Sequence, residues 1–139
     1  SAEAMVALRA AGWLVIVVTN QPDLATGQQG LAGLEAMHRC LRDGGLVDDI
    51  KVCPHLDSHK CACRKPLPGM LVEAAREWHI DLGASIMVGD RWRDVDAGRA
   101  AGCRTIFVDH GYAEKCPEGP DAIVSSLLQA QQLIARWTE

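Results

Sequence analysis

The chain has 139 residues, enough for one domain with a single core, and 48% hydrophobic with 23% charged residues is the composition of an ordinary globular protein. The formal net charge of −4 gives no general attraction to nucleic acid or to a membrane surface. The longest apolar run, Trp13 to Val18, is far short of the roughly 20 residues a membrane helix needs, and Ser1-Ala2-Glu3-Ala4 lacks the basic start of a secretory leader.

Residues 2–11 carry Met5, Leu8 and Ala11 at helical spacing, with Gly12 placed to end the helix. Leu14 to Val18 is an unbroken apolar run, expected as a strand buried on both faces of a parallel sheet. A loop is expected from Thr19 to Gly27. Thr19 offers a hydroxyl and an N–H at a strand end, which is also what a simple turn residue does. Leu31, Leu34, Met37 and Leu41 share one helical face before Gly44-Gly45. Ile50 to Cys53 is a short strand candidate that leads into a loop rich in cysteine and histidine.

That loop carries the most specific local signal. Cys53-x-His55 and Cys61-x-Cys63 are two short ligand pairs separated by five residues. Three thiolates and an imidazole suit one tetrahedral zinc ion, and four protein ligands leave no open position, so the site is expected to be structural. His59 is a rival to His55, and a set of free thiols is the plain alternative. Three of the six cysteines cluster here, while Cys40, Cys103 and Cys116 stand apart. Such use of cysteine points to a reducing, cytoplasmic setting rather than a disulfide scaffold. Arg64-Lys65 follows directly. A metal-held pair of cations suits phosphate, with Lys as a point charge and Arg as a planar fork, although a solvated basic pair is the commoner fate of such a dipeptide.

Pro68 can open a helix whose apolar stripe is Met70, Leu71, Ala74, Ala75 and Trp78. Ser85 to Val88 reads as a strand that ends in Gly89-Asp90. A carboxylate there suits Mg²⁺, which keeps its waters and joins a substrate phosphate. Asp94 lies one turn later and can equally be a helix N-cap. A short helix follows from Asp94 to Ala101, closed by Gly102, then strands at Thr105–Val108 and Ala122–Val124. Ser126 with Gln129 is a capping-box pair for a last helix expected to bury Leu127, Ala130, Ile134 and Trp137. Strands alternating with helices imply an α/β fold: a parallel sheet between two helical layers, with ligands at the carboxyl ends of the strands. The unusual residues follow three of those ends, which predicts one shared site.

Taken in order, Val18-Thr19-Asn20-Gln21, Cys53-Pro54-His55, Cys61-x-Cys63-Arg64-Lys65-Pro66-x-Pro68-Gly69-Met70 and Met87-Val88-Gly89-Asp90-Arg91 resemble the haloacid dehalogenase (HAD) superfamily. More narrowly they resemble its zinc-containing branch, which holds heptose 1,7-bisphosphate 7-phosphatases and histidinol-phosphate phosphatases. The resemblance runs from residue 2 to about residue 135. It implies a Rossmann-like HAD fold, a single domain over residues 1–139 and a zinc loop at 53–65. It also implies a Mg²⁺-dependent phosphatase acting on a small phosphorylated metabolite through an aspartyl-phosphate, and a monomer when complete. On the matching positions, Thr19 steadies the phosphoryl group, Lys65 offsets charge on its oxygens, Asp90 binds Mg²⁺, and Asn20, Arg64 and Arg91 touch substrate.

The five-residue spacer is like that of the histidinol-phosphate enzymes, whereas Lys65-Pro66-x-Pro68-Gly69-Met70 and Ala97 to Cys103 are more like the heptose enzymes, so a heptose bisphosphate is the first expectation. The superfamily's nucleophile sits in an Asp-x-Asp after its first, central strand. The only such pair here, Asp94-Val95-Asp96, falls in a helix and is rejected for that role. The expectation is therefore a chain that lacks the first strand and is inactive by itself, the natural protein carrying that strand upstream. The alternative from another class is a non-catalytic, zinc-stabilised module that binds phosphorylated ligands or a partner.

Overall fold

In the computed structural model, residues 2–20, 47–53, 65, 67–111 and 116–138 are described, with Ala2, Thr19, Asn20, Val52 and Cys53 described as backbone alone. The elements run α1 (Ala2–Ala10), β1 (Ile16–Asn20), β2 (Asp49–Cys53), α2 (Gly69–Trp78), a 3-10 turn at Leu82–Ala84, β3 (Ile86–Gly89), α3 (Trp92–Ala100), β4 (Arg104–Val108), β5 (Ala122–Val124) and α4 (Leu127–Trp137). Among the described residues every pairing is parallel, as unbroken apolar runs predict. β1 pairs with β2, and β3, β4 and β5 form a second ladder in that order.

Two layers of helix flank the second ladder. Ile106, Ala130 and Ile134 form a buried cluster with Leu8, Trp13, Ile86, Val88 and Val124 around it, which sets α1 and α4 against one face. The alternate residues Met87 and Thr105 face α3, where Gly98 permits a close approach: a Cβ at Gly98 would lie 2.5 Å from the Met87 Cβ. On the first ladder α2 packs through Met70 and Ala74, both buried.

Several element boundaries depart from the sequence reading for identifiable reasons. The first strand begins at Ile16 rather than Leu14 and runs on through Thr19 and Asn20, which pair with Val52 and Cys53 instead of opening a loop. Its start is set by Asp48, whose carboxylate accepts the Val15 N–H at 2.8 Å and the Arg9 guanidinium at 3.0 Å, while its own N–H donates to the Val15 carbonyl at 2.7 Å. Pro68 takes the position before the first turn of α2, and its carbonyl accepts the Val72 N–H at 2.9 Å. α2 ends at His79 in the left-handed region, with φ 54°. In α4, Ser126 caps the Gln129 N–H at 3.1 Å, but the Gln129 side chain reaches Ser125 instead of completing the box on Ser126. Ala130 and Ile134 are buried, whereas Leu127 and Trp137 are only partly so. The helix expected around residues 31–41 lies outside the described residues.

Candidate active site

The carboxyl ends of β1 and β3 open onto one cavity of about 650 Å³, whose walls include Ile16, Val18, Ile86 and Val88. The ladders fix the direction of the backbone groups there. The Val15 carbonyl meets Asp48 beside β2, and the Ser85 carbonyl meets Arg104 at the start of β4. Strand alternation then turns the N–H and C=O of Ile16 and Val18, and of Ile86 and Val88, away from those partners and into the cavity.

Lys65 closes the mouth. Its ammonium donates to the Val18 carbonyl at 3.1 Å and forms an ion pair with the Asp94 carboxylate. Arg93 in turn donates to the Lys65 carbonyl at 3.4 Å. Asp94 lies in the first turn of α3 and is buried; its other oxygen accepts the Arg91 N–H at 3.2 Å. The helix therefore starts at Trp92, two residues before the expected Asp94, because Asp94 caps from inside the first turn. Gly89 makes room for it, since a Cβ at Gly89 would fall 2.1 Å from the Asp94 Cβ. Asp90, at the end of β3, and His110, beyond β4, also line the cavity, with the His110 Nε2 3.9 Å from an Asp90 oxygen.

The structure thus brings Lys65 and Asp90 to one cavity at two strand ends, together with Asp94, which the sequence offered only in support, and His110, which it did not single out. The spacing Asp90-x-x-x-Asp94, one helical turn, and the place of His110 just past a strand end were the available signals. Thr19 and Asn20 occupy the last two positions of β1, directly after the cavity-lining Val18. Arg91 is exposed at the N-cap of α3 and does not line the cavity. Arg64, His55, Cys61 and Cys63 lie outside the described residues, and Cys53 is described only as the last backbone position of β2. No cluster of metal-ligating side chains occurs among the described residues. Asp96 does not line the cavity; its Oδ1 is buried without a hydrogen-bond partner among the described residues.

The donor set suits a hard cation. The Asp90 side chain is 41% exposed at the mouth and offers carboxylate oxygen where water can complete a coordination shell, while Asp94 is held by Lys65 and by the Arg91 amide. One carboxylate beside solvent fits Mg²⁺, which takes few protein ligands and keeps several waters. Hydrogen bonding to Glu77 raises the pKa of Lys51, helped by nearby Asp49 and Glu73 and opposed by burial. Burial raises that of the Cys103 thiol.

A HAD-hydrolase-like family profile matches residues 62–130. The chain is 41% identical over 145 aligned positions to the D-glycero-beta-D-manno-heptose-1,7-bisphosphate 7-phosphatase of Bordetella bronchiseptica, covering 96% of this chain and 81% of that protein. The enzyme of the same name from Pseudomonas aeruginosa is also 41% identical, over 93% of this chain and 82% of its own length. The crystal structure of D,D-heptose 1.7-bisphosphate phosphatase from B. bronchiseptica, complexed with magnesium and phosphate, superposes with a TM-score of 0.86 at 38% identity, covering 99% of this chain and 82% of that one.

Proposed function

This chain belongs to the HAD-like hydrolases, in the family of the heptose-bisphosphate phosphatases, and we propose that it serves Mg²⁺-dependent removal of one phosphoryl group from a sugar bisphosphate, D-glycero-D-manno-heptose 1,7-bisphosphate before others. The observation that carries this reading is the meeting of Lys65 and Asp90 in one cavity at the carboxyl ends of two parallel strands. A cation and a metal-binding carboxylate at that place can hold the two kinds of charge a phosphomonoester reaction develops.

In this reading the Lys65 ammonium faces the phosphoryl oxygens and offsets their growing charge, held in position by Asp94 and the Val18 carbonyl. Asp90 holds Mg²⁺, which supplies a positive charge for a phosphoryl oxygen when bound. Thr19 steadies the phosphoryl group and Asn20 contacts substrate from the end of β1. Arg64 and Arg91 contact the second anionic group, which a bisphosphate has and histidinol phosphate lacks. The nucleophilic carboxylate and its acid/base partner come from an Asp-x-Asp on a strand neighbouring β1 and β3. Cys53, His55, Cys61 and Cys63 hold a structural zinc ion that fixes the approach of Arg64 and Lys65. The protein acts as a cytoplasmic monomer.

The test is phosphate release with Mg²⁺ from the chain as given and from one extended at its N-terminus, on heptose bisphosphate and on histidinol phosphate. The extended chain should have the higher kcat/KM on the heptose, and the short chain none. A large preference for histidinol phosphate would install the second substrate reading. No turnover of either by the extended chain, with retained phosphate binding, would leave the non-catalytic module.

A further inference from the structure

We propose that His110 is a specificity-determining residue, whose imidazole takes a hydroxyl of the sugar that carries the phosphoryl group. β3 and β4 run parallel with Gly89 opposite Phe107, so the residues that follow them leave the sheet at the same end. There the His110 Nε2 comes to 3.9 Å from an Asp90 oxygen. Lys65 reaches Asp94 from the side of β1, whose Val18 carbonyl it also holds. His110 arrives from β4, the neighbour of β3 on its other edge. A phosphoryl group bound by Lys65 and by a cation on Asp90 therefore has the imidazole beside it on the β4 side.

The chemistry of His110 differs from that of its neighbours at the mouth. Lys65 is turned to Asp94 and the Val18 carbonyl, Asp94 to Lys65 and the Arg91 N–H, and Ser126 to the Gln129 N–H. Asp90 offers a carboxylate, which suits a cation. An imidazole can donate through one ring nitrogen and accept through the other, and a hydroxyl likewise donates and accepts. A sugar is dense in such groups. The His110 side chain is 42% exposed, so a substrate entering from solvent can reach it. The backbone holds it from both sides. The Asp109 N–H donates to the Val124 carbonyl at 2.8 Å, and the Asp109 Oδ1 accepts the Gly111 N–H at 2.8 Å. Gly111 closes this turn at φ 74°, a conformation that favours glycine. The assignment rests on the function proposed above and adds to it a residue that reads the sugar rather than the phosphate.

The test compares two substrates of the full-length enzyme with Mg²⁺: D-glycero-D-manno-heptose 1,7-bisphosphate, and p-nitrophenyl phosphate, whose leaving group carries no further hydroxyl. The quantity read is the ratio of kcat/KM on the first to kcat/KM on the second. His110→Phe should lower this ratio by about 5–10-fold, the worth of one net hydrogen bond. His110→Gln, whose amide also donates and accepts, should restore most of it. A ratio that stays within about twofold of wild type in His110→Phe overturns the assignment. Equal losses on both substrates leave the ratio unchanged in the same way and would move His110 to the phosphoryl group or the cation. A glutamine variant no better than the phenylalanine one overturns it too, because hydrogen bonding would then not be what the imidazole supplies. A wild-type enzyme inactive on both substrates would refute the phosphatase reading itself, and this assignment with it.

Discussion

The Lys65 ammonium and the Asp94 carboxylate form an ion pair that joins the segment after β2 to the first turn of α3. The same ammonium holds the Val18 carbonyl, so one side chain spans from β1 to the helix that follows β3. Both partners are largely out of solvent, with side-chain exposures of 13% and 11%. A lysine so placed has few rotamers left, which is what a group aimed at a phosphoryl oxygen requires.

Removing the charge of Lys65 should therefore affect chemistry more than folding. In the complete enzyme Lys65→Met is expected to lower kcat by roughly 10²–10³-fold, the usual loss of one charge-stabilising donor. Circular dichroism and the thermal midpoint should change little by comparison. A variant with unchanged kcat would remove Lys65 from the reaction.

In the proposed function Asp94 acts through Lys65, so its substitution should be graded. Asp94→Asn keeps the shape and the contact with the Arg91 N–H but loses the ion pair, with an expected fall in kcat of about 10–100-fold, the range for a group that orients another. Gly89→Ala attacks the same contact from behind, because the added methyl would occupy the space of the Asp94 Cβ. The two variants should share a kinetic signature, a lower kcat with a nearly constant KM. A large rise in KM alone would mean that Asp94 serves substrate binding.

Gly98 gives a test of packing remote from the mouth. Its Cβ would meet the Cβ of Met87, an atom fixed to the β3 backbone that no rotamer change can move aside. Gly98→Ala should cost about 1–3 kcal/mol, as overpacked cores do. Thermal unfolding of wild type and variant under identical conditions measures it, and an unchanged midpoint would show that α3 can lift from the sheet.

The zinc clasp can be tested by composition. Elemental analysis of folded, chelator-washed protein should give close to one zinc per chain, and Cys61→Ser should release it. Unchanged zinc in the variant would exclude the proposed ligand set.

Alkaline stability follows from the two raised pKa values. Burial favours the neutral Cys103 thiol, whose ordinary pKa is 9.0, so the unfolded chain ionises first and stability falls as pH rises above that value. Lys51 is raised from 10.5, chiefly by its hydrogen bond to Glu77; its contribution is complete below 10.5 and is lost as pH passes its folded value. Both therefore act with the same sign and only at alkaline pH. Urea midpoints should be insensitive to these groups from pH 7 to 8 and should decline above about pH 9. Cys103→Ser should remove the earlier part of that decline; an identical profile would clear the thiol of any role.

The sequence made the parallel α/β class legible because β-branched runs such as Ile16-Val17-Val18 leave little choice of environment. It made the Lys65–Asp90 meeting legible because strand ends in a parallel sheet converge. The ion pair between Lys65 and Asp94 was hidden, since a carboxylate one turn into a helix looks the same whether it caps that helix or holds a partner 29 positions away. The displaced start of β1 was hidden for a related reason: it is set by the side chain of Asp48, whose contact with Val15 spans 33 positions. His110 carried no local pattern, only its place beyond a strand.

That Asp48 contact also bears on the order of events in folding. β1 cannot align with β2 until the chain between residues 15 and 48 has closed, and closure entropy must be met before any rung of the ladder forms. β3 and β4 need a much shorter return through α3, so the second ladder can form early and locally. Asp48 binds Arg9 and Val15 at once, and so acts as the latch of the late event. Weakening it should retard the joining of β1 to β2 while leaving the β3–β4 nucleus at its own pace.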